Sequence, residues 1–481
     1  MRRLGFARVL PVLAAVMAVA LALAAPVRAR ALAADEPPAI SCPYALLVDT
    51  ATDTVLLDKD ADARLYPASV TKVMTALVTL ETLDLDDEVT VEEGDFDNVP
   101  WYSSVAGLKA GETLTVRDLL ACLLLPSGNE AAYVLARAVG GGDWHACIDL
   151  MNQRAAELGC EGTHFVNPCG FHDDNHYSTA RDLVRIYEAA LEHPEFREIA
   201  GSAYWELPET SENPARTLTS TNLLCLPDSS VYMDGVTFTG KTGSTTEGGR
   251  SLIVSAEKDG RSLVAVVSGV AYDSMTGDAP TSFSDMRSVL EWGFSAWRTG
   301  EVLAAGDVVG SREVTLSDDG DAVRALATDG VVATVPAEVT ADDLEFTPTW
   351  EGALQAPVES GQRLGEVRVS YAGRELGTVG AVADASLGLS IPAFAIWWVT
   401  SDPLHIALVG AVGVAAVALV ARALAASSRR HQRELQRAAA ARRPAVMPVV
   451  SSSARTRRAA TPRAGGGSSR RGRSGGSHMR R

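Results

Sequence analysis

The chain has 481 residues, of which 47% are hydrophobic and 21% charged, so it is long enough for two or three domains with their own cores. The formal net charge is −17, and the arginines are concentrated at the two ends, which leaves the segment between them strongly acidic. This acidity excludes nucleic acid as a partner of that segment, because phosphate binding needs a basic face.

Residues 1–33 have the composition of a secretory signal peptide. They begin with arginines, continue as an apolar run and end in a small-x-small site at Ala31-Leu32-Ala33. An uncleaved membrane anchor is the alternative interpretation. An exported location permits disulfides among the six cysteines, although their pairing cannot be read from the sequence.

Residues 40–300 are predicted to form an α+β domain. The run Tyr44–Asp62 indicates a β-hairpin, and a helix is expected from Ser69. Two apolar helices then flank a Pro-Ser-Gly break at 126–128. Three short β-rich runs between residues 235 and 271 indicate adjacent antiparallel strands, and a further helix follows them.

The remainder of the chain changes character near residue 300. Alternating apolar residues with Gly and Asp turns predict a small all-β domain at 302–383. Residues 404–426 are apolar and follow two tryptophans, which indicates a transmembrane helix; a buried core helix is the alternative. The arginine-rich residues 427–481 predict a disordered cytoplasmic tail, which leaves the catalytic domain outside the cytoplasmic membrane.

A serine and a lysine lie three residues apart at the start of the helix expected from Ser69. Positions i and i+3 share one helix face, so Ser69 and Lys72 are predicted to be neighbours. The apolar stripe of this helix is formed by Val70, Val73, Met74 and Leu77. The pair alone also fits an ordinary serine helix cap beside a solvated lysine. Further motifs are needed to distinguish a catalytic pair from this structural one.

Two such motifs follow in the same domain, Ser127-Gly128-Asn129 in the break between helices and Lys241-Thr242-Gly243 on a β-type run. Each is common alone, but the order S-x-x-K, S-x-N, K-T-G is that of class A β-lactamases and penicillin-binding proteins. The triplet therefore favours acyl-transfer chemistry by a serine nucleophile.

The chemistry explains these residue types. Ser69 needs a base to become a nucleophile, and Lys72 serves once burial and a second cation, Lys241, lower its pKa. Ser127 is predicted to relay a proton, and Asn129 to bind the substrate amide.

The third motif is predicted to bind the substrate from the strand side. Lys241 and Thr242 are expected to bind a terminal carboxylate, and Gly243 to let the substrate backbone approach the strand. The backbone amides of Ser69 and Ser244 are expected to form the oxyanion hole.

The chain resembles the D-alanyl-D-alanine carboxypeptidases of the penicillin-binding protein 5 type. The resemblance rests on "LYPASVTKVMTAL", "THFVNPCGFHDDNHYSTARDL", "GKTGSTTEGGRSLIVSA" and "APVESGQRLGEVRVSYAGREL". It implies a β-lactamase/transpeptidase-like domain that removes the terminal D-alanine from peptidoglycan stem peptides through an acyl-enzyme. It also implies acylation by β-lactam antibiotics and no cofactor.

Other functions remain open at this level. A D,D-endopeptidase would use the same residues, and a non-catalytic wall-binding scaffold would not need them. A β-lactamase fits less well, because no further glutamate stands out for activating the deacylating water. Three histidines, at 164, 172 and 176, raise the possibility of zinc, but their spacing lacks H-E-x-x-H and no metal is expected. The family's Asp-Gly normally lies close before K-T-G, whereas Asp234-Gly235 is separated from it by five residues, "VTFTG".

Overall fold

The computed structural model describes residues 36–440 and divides the chain at Phe394 into two units. The predicted signal peptide and the tail beyond residue 440 lie outside the described residues. All six cysteines carry free thiols, so none of the permitted disulfides is formed.

Nine α-helices are assigned within residues 36–440. They are α1 (Lys72–Thr82), α2 (Val116–Leu124), α3 (Asn129–Val139), α4 (Trp144–Glu157), α5 (Ala180–Leu191), α6 (Pro194–Ala200), α7 (Thr281–Ala296), α8 (Ile391–Ser401) and α9 (Pro403–Ala440). Short 3₁₀ turns occur as well, and the one at Ala68–Thr71 leads directly into α1.

Strands β1–β11 belong to the first domain and β12–β18 to the second. The first group is β1 (Tyr44–Asp49), β2 (Thr54–Lys59), β3 (Glu88–Thr90), β4 (Thr113–Thr115), β5 (Tyr204–Leu207), β6 (Arg216–Thr219), β7 (Thr237–Thr245), β8 (Gly249–Lys258), β9 (Arg261–Val270), β10 (Met275–Thr276) and β11 (Ala279–Pro280). The second group is β12 (Trp297–Leu303), β13 (Val308–Glu313), β14 (Ala322–Ala327), β15 (Val331–Pro336), β16 (Glu345–Trp350), β17 (Arg363–Tyr371) and β18 (Arg374–Ala383).

The first domain is built on one antiparallel sheet with the strand order β2-β1-β9-β8-β7. Side chains alternate across it, because successive residues of a strand point to opposite faces. On β9, Val264 and Val266 pack into the core beneath α1–α5, whereas Leu263 and Ala265 pack into the core beneath α7. The predicted α+β fold is confirmed, and β7 forms one edge of the sheet.

The second domain is an all-β unit with its own core. Its larger sheet has the order β13-β14-β18-β17-β16, and β12 pairs separately with β15. Because β12 begins at Trp297, this domain starts earlier than the expected residue 302. Several polar contacts join the domains; among them, Thr299 donates to the Asp49 carboxylate, and Arg374 donates to Thr54.

The C-terminal unit contains α9, which is long and apolar enough to cross a membrane and is the one such helix among residues 36–440. It continues past Ala426 to Ala440, so the expectation of disorder was wrong for residues 427–440. Alanine, glutamate, glutamine and arginine favour helix in this stretch, and low hydrophobicity alone does not break a helix that is already nucleated.

Candidate active site

Ser69 lies in the 3₁₀ turn that precedes α1, and Lys72 is the first residue of that helix. The predicted stripe is confirmed, because Val70, Val73, Met74 and Leu77 are all at most 2% exposed. Ala68 enters the turn with φ of 49°, a left-handed conformation that is strained for a residue with a Cβ. The turn holds Ser69 partly exposed, while the residues on either side of it are buried.

The Lys72 ammonium nitrogen has three oxygen neighbours. Lys72 Nζ lies 3.0 Å from Ser69 Oγ, 2.6 Å from Asn129 Oδ1 and 3.0 Å from the Cys169 carbonyl oxygen. An amide oxygen and a carbonyl oxygen only accept hydrogen bonds, whereas a serine hydroxyl can also donate one. A neutral amine can therefore donate its two N–H groups to Asn129 and Cys169 and keep its lone pair for Ser69.

Burial makes a neutral amine accessible at this position. Lys72 is fully buried, and desolvation lowers its pKa to about 8, with the Glu130 carboxylate acting in the opposite direction. Burial also lowers the pKa of Lys241 well below its ordinary value, and the nearby Lys72 lowers it further. Burial is therefore the main cause of the lowered pKa of both lysines. The neighbouring cation contributes only at Lys241, where it is Lys72.

The second motif lies in the break between α2 and α3. Ser127 has φ of 62°, and its hydroxyl accepts a hydrogen bond of 2.8 Å from Lys241 Nζ. Gly128 lies so close to α2 that a Cβ would sit 2.8 Å from the Cys122 carbonyl oxygen. A non-glycine residue in the left-handed region costs about 1–3 kcal/mol and persists where the surroundings hold it, often at a functional site.

The third motif lies on the edge strand β7. Lys241 Nζ also bonds the Thr242 carbonyl, and Thr242 Oγ1 shares a hydrogen bond of 2.7 Å with Thr221 Oγ1. Gly243 faces the 3₁₀ turn of Ser69: a Cβ there would lie 2.8 Å from the Pro67 carbonyl oxygen. Gly243 thus allows the strand to approach the nucleophile's turn. The approach of substrate backbone at this position stays a prediction.

These motifs border one cleft of about 350 Å³. The polar residues that line it include Ser69, Ser104, Ser127, Thr242, Ser244 and Arg250. Asn129 and Lys241 do not line it: both are at most 4% exposed and bond other residues of the motifs. Their direct contact with substrate stays a prediction.

Arg250 was missed by the sequence analysis. It pairs with Ser244 in the antiparallel register of β7 and β8, and its side chain donates to the Tyr272 carbonyl at 2.7 Å. Its place in the sequence could have identified it, because Arg250 lies at the start of β8, directly after the strand that carries K-T-G. Its guanidinium gives the cleft a cation that can bind a carboxylate.

The loop around Asn167 positions the Cys169 carbonyl that bonds Lys72. Asn167 Oδ1 accepts from the backbone amides of Cys169 and Gly170, at 3.3 and 2.7 Å, which fixes the carbonyl that bonds Lys72. A Cβ on Gly170 would overlap the Ala68 carbonyl, so only glycine fits against this turn. These contacts give a physical reason for the sequence Asn-Pro-Cys-Gly at residues 167–170, which lies within the stretch "THFVNPCGFHDDNHYSTARDL".

His176 also supports the turn. Its Nδ1 accepts from the Val166 amide at 3.2 Å, so Nε2 carries the proton and donates to Thr71 Oγ1 at 2.7 Å. Burial lowers its pKa to about 3, which keeps the ring neutral. Within the part of the chain that the structure describes, no group of three His, Cys, Asp or Glu residues is arranged to hold a metal ion.

Comparisons with known proteins agree with this geometry. The family model described as "D-alanyl-D-alanine carboxypeptidase" matches residues 31–271, and that of "Penicillin-binding protein 5, C-terminal domain" matches 297–388. A D-alanyl-D-alanine carboxypeptidase from a Streptomyces species is 33% identical over 54% of this chain and 89% of its own. The enzyme DacD from Salmonella typhimurium is 31% identical over 70% of this chain and 84% of its own.

A solved structure shares the fold. Penicillin binding protein 5 from Haemophilus influenzae superposes with a TM-score of 0.55 at 26% identity, covering 73% of this chain and 99% of that one. The motifs, the two domains and these matches agree. The chain belongs to the serine-type D-alanyl-D-alanine carboxypeptidases of the penicillin-binding protein 5 type.

Proposed function

We propose that Ser69 removes the terminal D-alanine of a peptidoglycan pentapeptide through an acyl-enzyme, with Lys72 as its general base. The observation that carries this assignment is the set of three contacts at Lys72 Nζ. Two of its partners, Asn129 Oδ1 and the Cys169 carbonyl, only accept, and the third is the Ser69 hydroxyl at 3.0 Å. A neutral Lys72 can therefore take the proton as Ser69 attacks the peptide carbonyl.

The leaving amine needs a proton, and Ser127 is the group we assign to supply it. Its hydroxyl oxygen accepts from Lys241, so its own hydrogen is free to be donated into the cleft that it lines. Lys241 then replaces that proton or stabilises the transient alkoxide. Asn129 acts chiefly through Lys72, since its oxygen is committed to the lysine.

Substrate binding is assigned to the strand side of the cleft. Thr242 and Arg250 present a hydroxyl and a guanidinium to the terminal carboxylate, and Lys241 is buried behind Thr242, where it bonds the Thr242 carbonyl. The amides of Ser69 and Ser244 are proposed as the oxyanion hole, and the edge strand β7 as the strand that pairs with the stem peptide.

The membrane arrangement is also a proposal. Residues 404–421 of α9 contain no Asp, Glu, Lys or Arg, and arginines follow at 422, 429, 430, 433 and 437. Cytoplasmic flanks carry an excess of arginine, which supports a single-pass anchor with the catalytic domain outside and the C-terminus inside. Protease added outside sealed cells is expected to spare an epitope placed after Arg443; its loss from sealed cells contradicts this orientation.

Digestion of defined substrates tests the reaction itself. The purified full chain is expected to release D-alanine from a disaccharide-pentapeptide, detected by mass spectrometry, and Ser69→Ala to release none. Ser104→Ala is the matched control, because Ser104 lines the same cleft but its hydroxyl does not bond Lys72, whose ammonium bonds Ser69, Asn129 and the Cys169 carbonyl. Cleavage of a crosslinked dimer with the pentapeptide left intact would favour the endopeptidase alternative.

A further inference from the structure

Two large aromatic side chains are exposed in the loop that leads to the catalytic cleft. Trp101 is 94% exposed and Tyr102 is 74% exposed, and their rings meet edge to face with centroids 5.7 Å apart. Contiguous exposed aromatic surface on a folded domain marks an interaction site more often than isolated apolar residues do. The pair is therefore a candidate interaction site.

The loop that carries this pair is tied to the catalytic motifs. A turn closes at its tip, where the Ser103 amide and hydroxyl both donate to the Pro100 carbonyl, at 3.0 and 2.7 Å. The next residue, Ser104, lines the cleft, and its carbonyl accepts from the Asn129 amide at 2.9 Å. The aromatic pair therefore lies two to three residues from a residue that lines the cleft, in a loop that is hydrogen-bonded to the second motif.

A second anchor lies just beyond Ser104. The buried Glu130 carboxylate accepts from the amides of Ala106, Gly107 and Leu108, at 2.6, 2.9 and 3.3 Å. Glu130 follows the S-x-N motif directly, so the loop and the second motif are fixed to each other. The loop's position relative to the cleft is consequently set by the catalytic elements themselves.

The surroundings of the pair restrict its partner. Glu93 and Asp97, both exposed, precede it in the same loop, which opposes contact with anionic lipid headgroups. Two aromatic side chains bury about 150–250 Å² each, well below the roughly 1,000 Å² of a stable protein interface. A small, neutral ligand with apolar C–H faces fits better, and sugar rings have that chemistry.

The spacing agrees with a sugar attached to the substrate. With the terminal alanine pair in the cleft, the three remaining residues of a pentapeptide span at most about 11 Å. The Cα of Trp101 lies three residues before Ser104 and therefore also at most about 11 Å from it. Both distances have the same upper limit, so a stem peptide in the cleft is long enough for its glycan end to reach the aromatic pair.

We propose that Trp101 and Tyr102 form a platform that stacks on a sugar ring of the glycan to which the stem peptide is attached. The inference rests on the proposed function, because it needs a stem peptide in the cleft. It makes the enzyme prefer sugar-linked stems over free peptides of the same sequence.

Kinetics on two matched substrates test the platform, with the full chain in detergent micelles. The substrates are a pentapeptide and the same pentapeptide carrying its disaccharide. Replacing both rings (Trp101→Ala with Tyr102→Ala) is expected to lower kcat/KM on the disaccharide substrate about tenfold, through KM, and to leave the free pentapeptide unchanged. The Trp101→Phe variant keeps a ring and should retain most of the preference, and Val332→Ala, an exposed apolar residue of the second domain, should change neither.

Several outcomes overturn the inference. An equal loss of kcat/KM on both substrates means that the rings act on the peptide or on folding. An unchanged kcat/KM on both substrates means that the rings do not contribute to substrate binding. A loss confined to enzyme in anionic vesicles assigns the rings to the membrane. If the wild type cleaves neither substrate, the proposed function fails and the inference fails with it. If the wild type is active but the variants give one of the three contrary results above, only the inference is overturned.

Discussion

Gly243 on the edge strand lies against Val70 of the nucleophile's turn: a Cβ on Gly243 would sit 3.1 Å from the Val70 amide nitrogen and 2.8 Å from the Pro67 carbonyl oxygen. Both of these are backbone atoms, so no side chain can rotate away to make room. The spacing between strand and turn is therefore fixed by the absence of a side chain at one position.

Gly243→Ala is expected to push the Ser69 turn away from β7. A displacement of about 1 Å of a reacting group can cost about 100-fold in rate, so acylation by fluorescent penicillin should fall by about that factor. The free energy of unfolding should fall by about 1–3 kcal/mol. Gly300→Ala is the control, since a Cβ there meets nothing within 4 Å; equal acylation rates in the two variants would contradict the tight-approach argument.

The rate of acylation should rise with pH through the pKa of Lys72, which is about 8. Only the neutral amine can accept the Ser69 proton, and its fraction grows as pH increases towards and beyond that value. Stopped-flow measurement of penicillin acylation between pH 6 and 10 checks this. A rate that is flat across the range, or that falls from pH 6 to pH 8, is incompatible with Lys72 as the base.

Glu130→Gln is expected to move that pH profile to lower pH. The Glu130 carboxylate raises the pKa of Lys72 against the larger effect of burial, so removing its charge lets the lysine pKa fall further. A glutamine oxygen can still accept from the loop amides, which preserves the shape of the site. Glu88→Gln, at an exposed position on β3, should leave the profile in place; a midpoint that shifts upward in Glu130→Gln would refute the electrostatic argument.

His176 should make the catalytic domain sensitive to mild acid. Its pKa is about 3 in the fold and near 6.5 in an unfolded chain, so the unfolded state binds the proton first as pH falls below 6.5. Stability is then lost progressively between pH 6.5 and pH 3, by about 2 kcal/mol at pH 5.

The variant His176→Gln isolates this contribution. Glutamine can still donate to Thr71 and accept from Val166 but does not titrate, so its thermal unfolding midpoint should drop less between pH 7 and pH 5 than that of the wild type. The comparison is made within each variant across pH, which removes any general loss of stability. An identical drop in both proteins would show that the histidine is not the acid-sensitive group.

The fold class and the three motifs were predictable because both depend on local patterns. The apolar stripe from Val70 to Leu77 has helical spacing, and the runs that became β7, β8 and β9 are bounded by turn residues. Each motif also lies within a few consecutive residues. Patterns of this kind can be recognised in the sequence without knowing which distant residues meet in the fold.

The partners of each motif residue were not predictable in the same way. Asn129 bonds Lys72, which depends on how α3 packs against α1, and Ser127 bonds Lys241, which depends on how the break before α3 packs against β7. Arg250 enters the cleft only because β8 pairs with β7 in a particular register. Disorder was predicted for residues 427–440 from their polar composition. A helix that has already formed is extended residue by residue from its preceding turn, so α9 continues through this polar stretch.

The continuity of α9 has a consequence for membrane thickness. In the proposed orientation, the 18 residues from Leu404 to Ala421 cover about 27 Å at 1.5 Å per residue, slightly less than the roughly 30 Å of an average hydrocarbon core. Because the same rigid helix carries Arg422 directly after this stretch, the mismatch cannot be absorbed by an unwound linker. If α9 spans the membrane as proposed, it fits a thin bilayer, and in a thicker one the lipid would have to thin locally or the arginine bend back to the headgroups. Such a mismatch would favour the enzyme's accumulation in the thinner regions of its membrane.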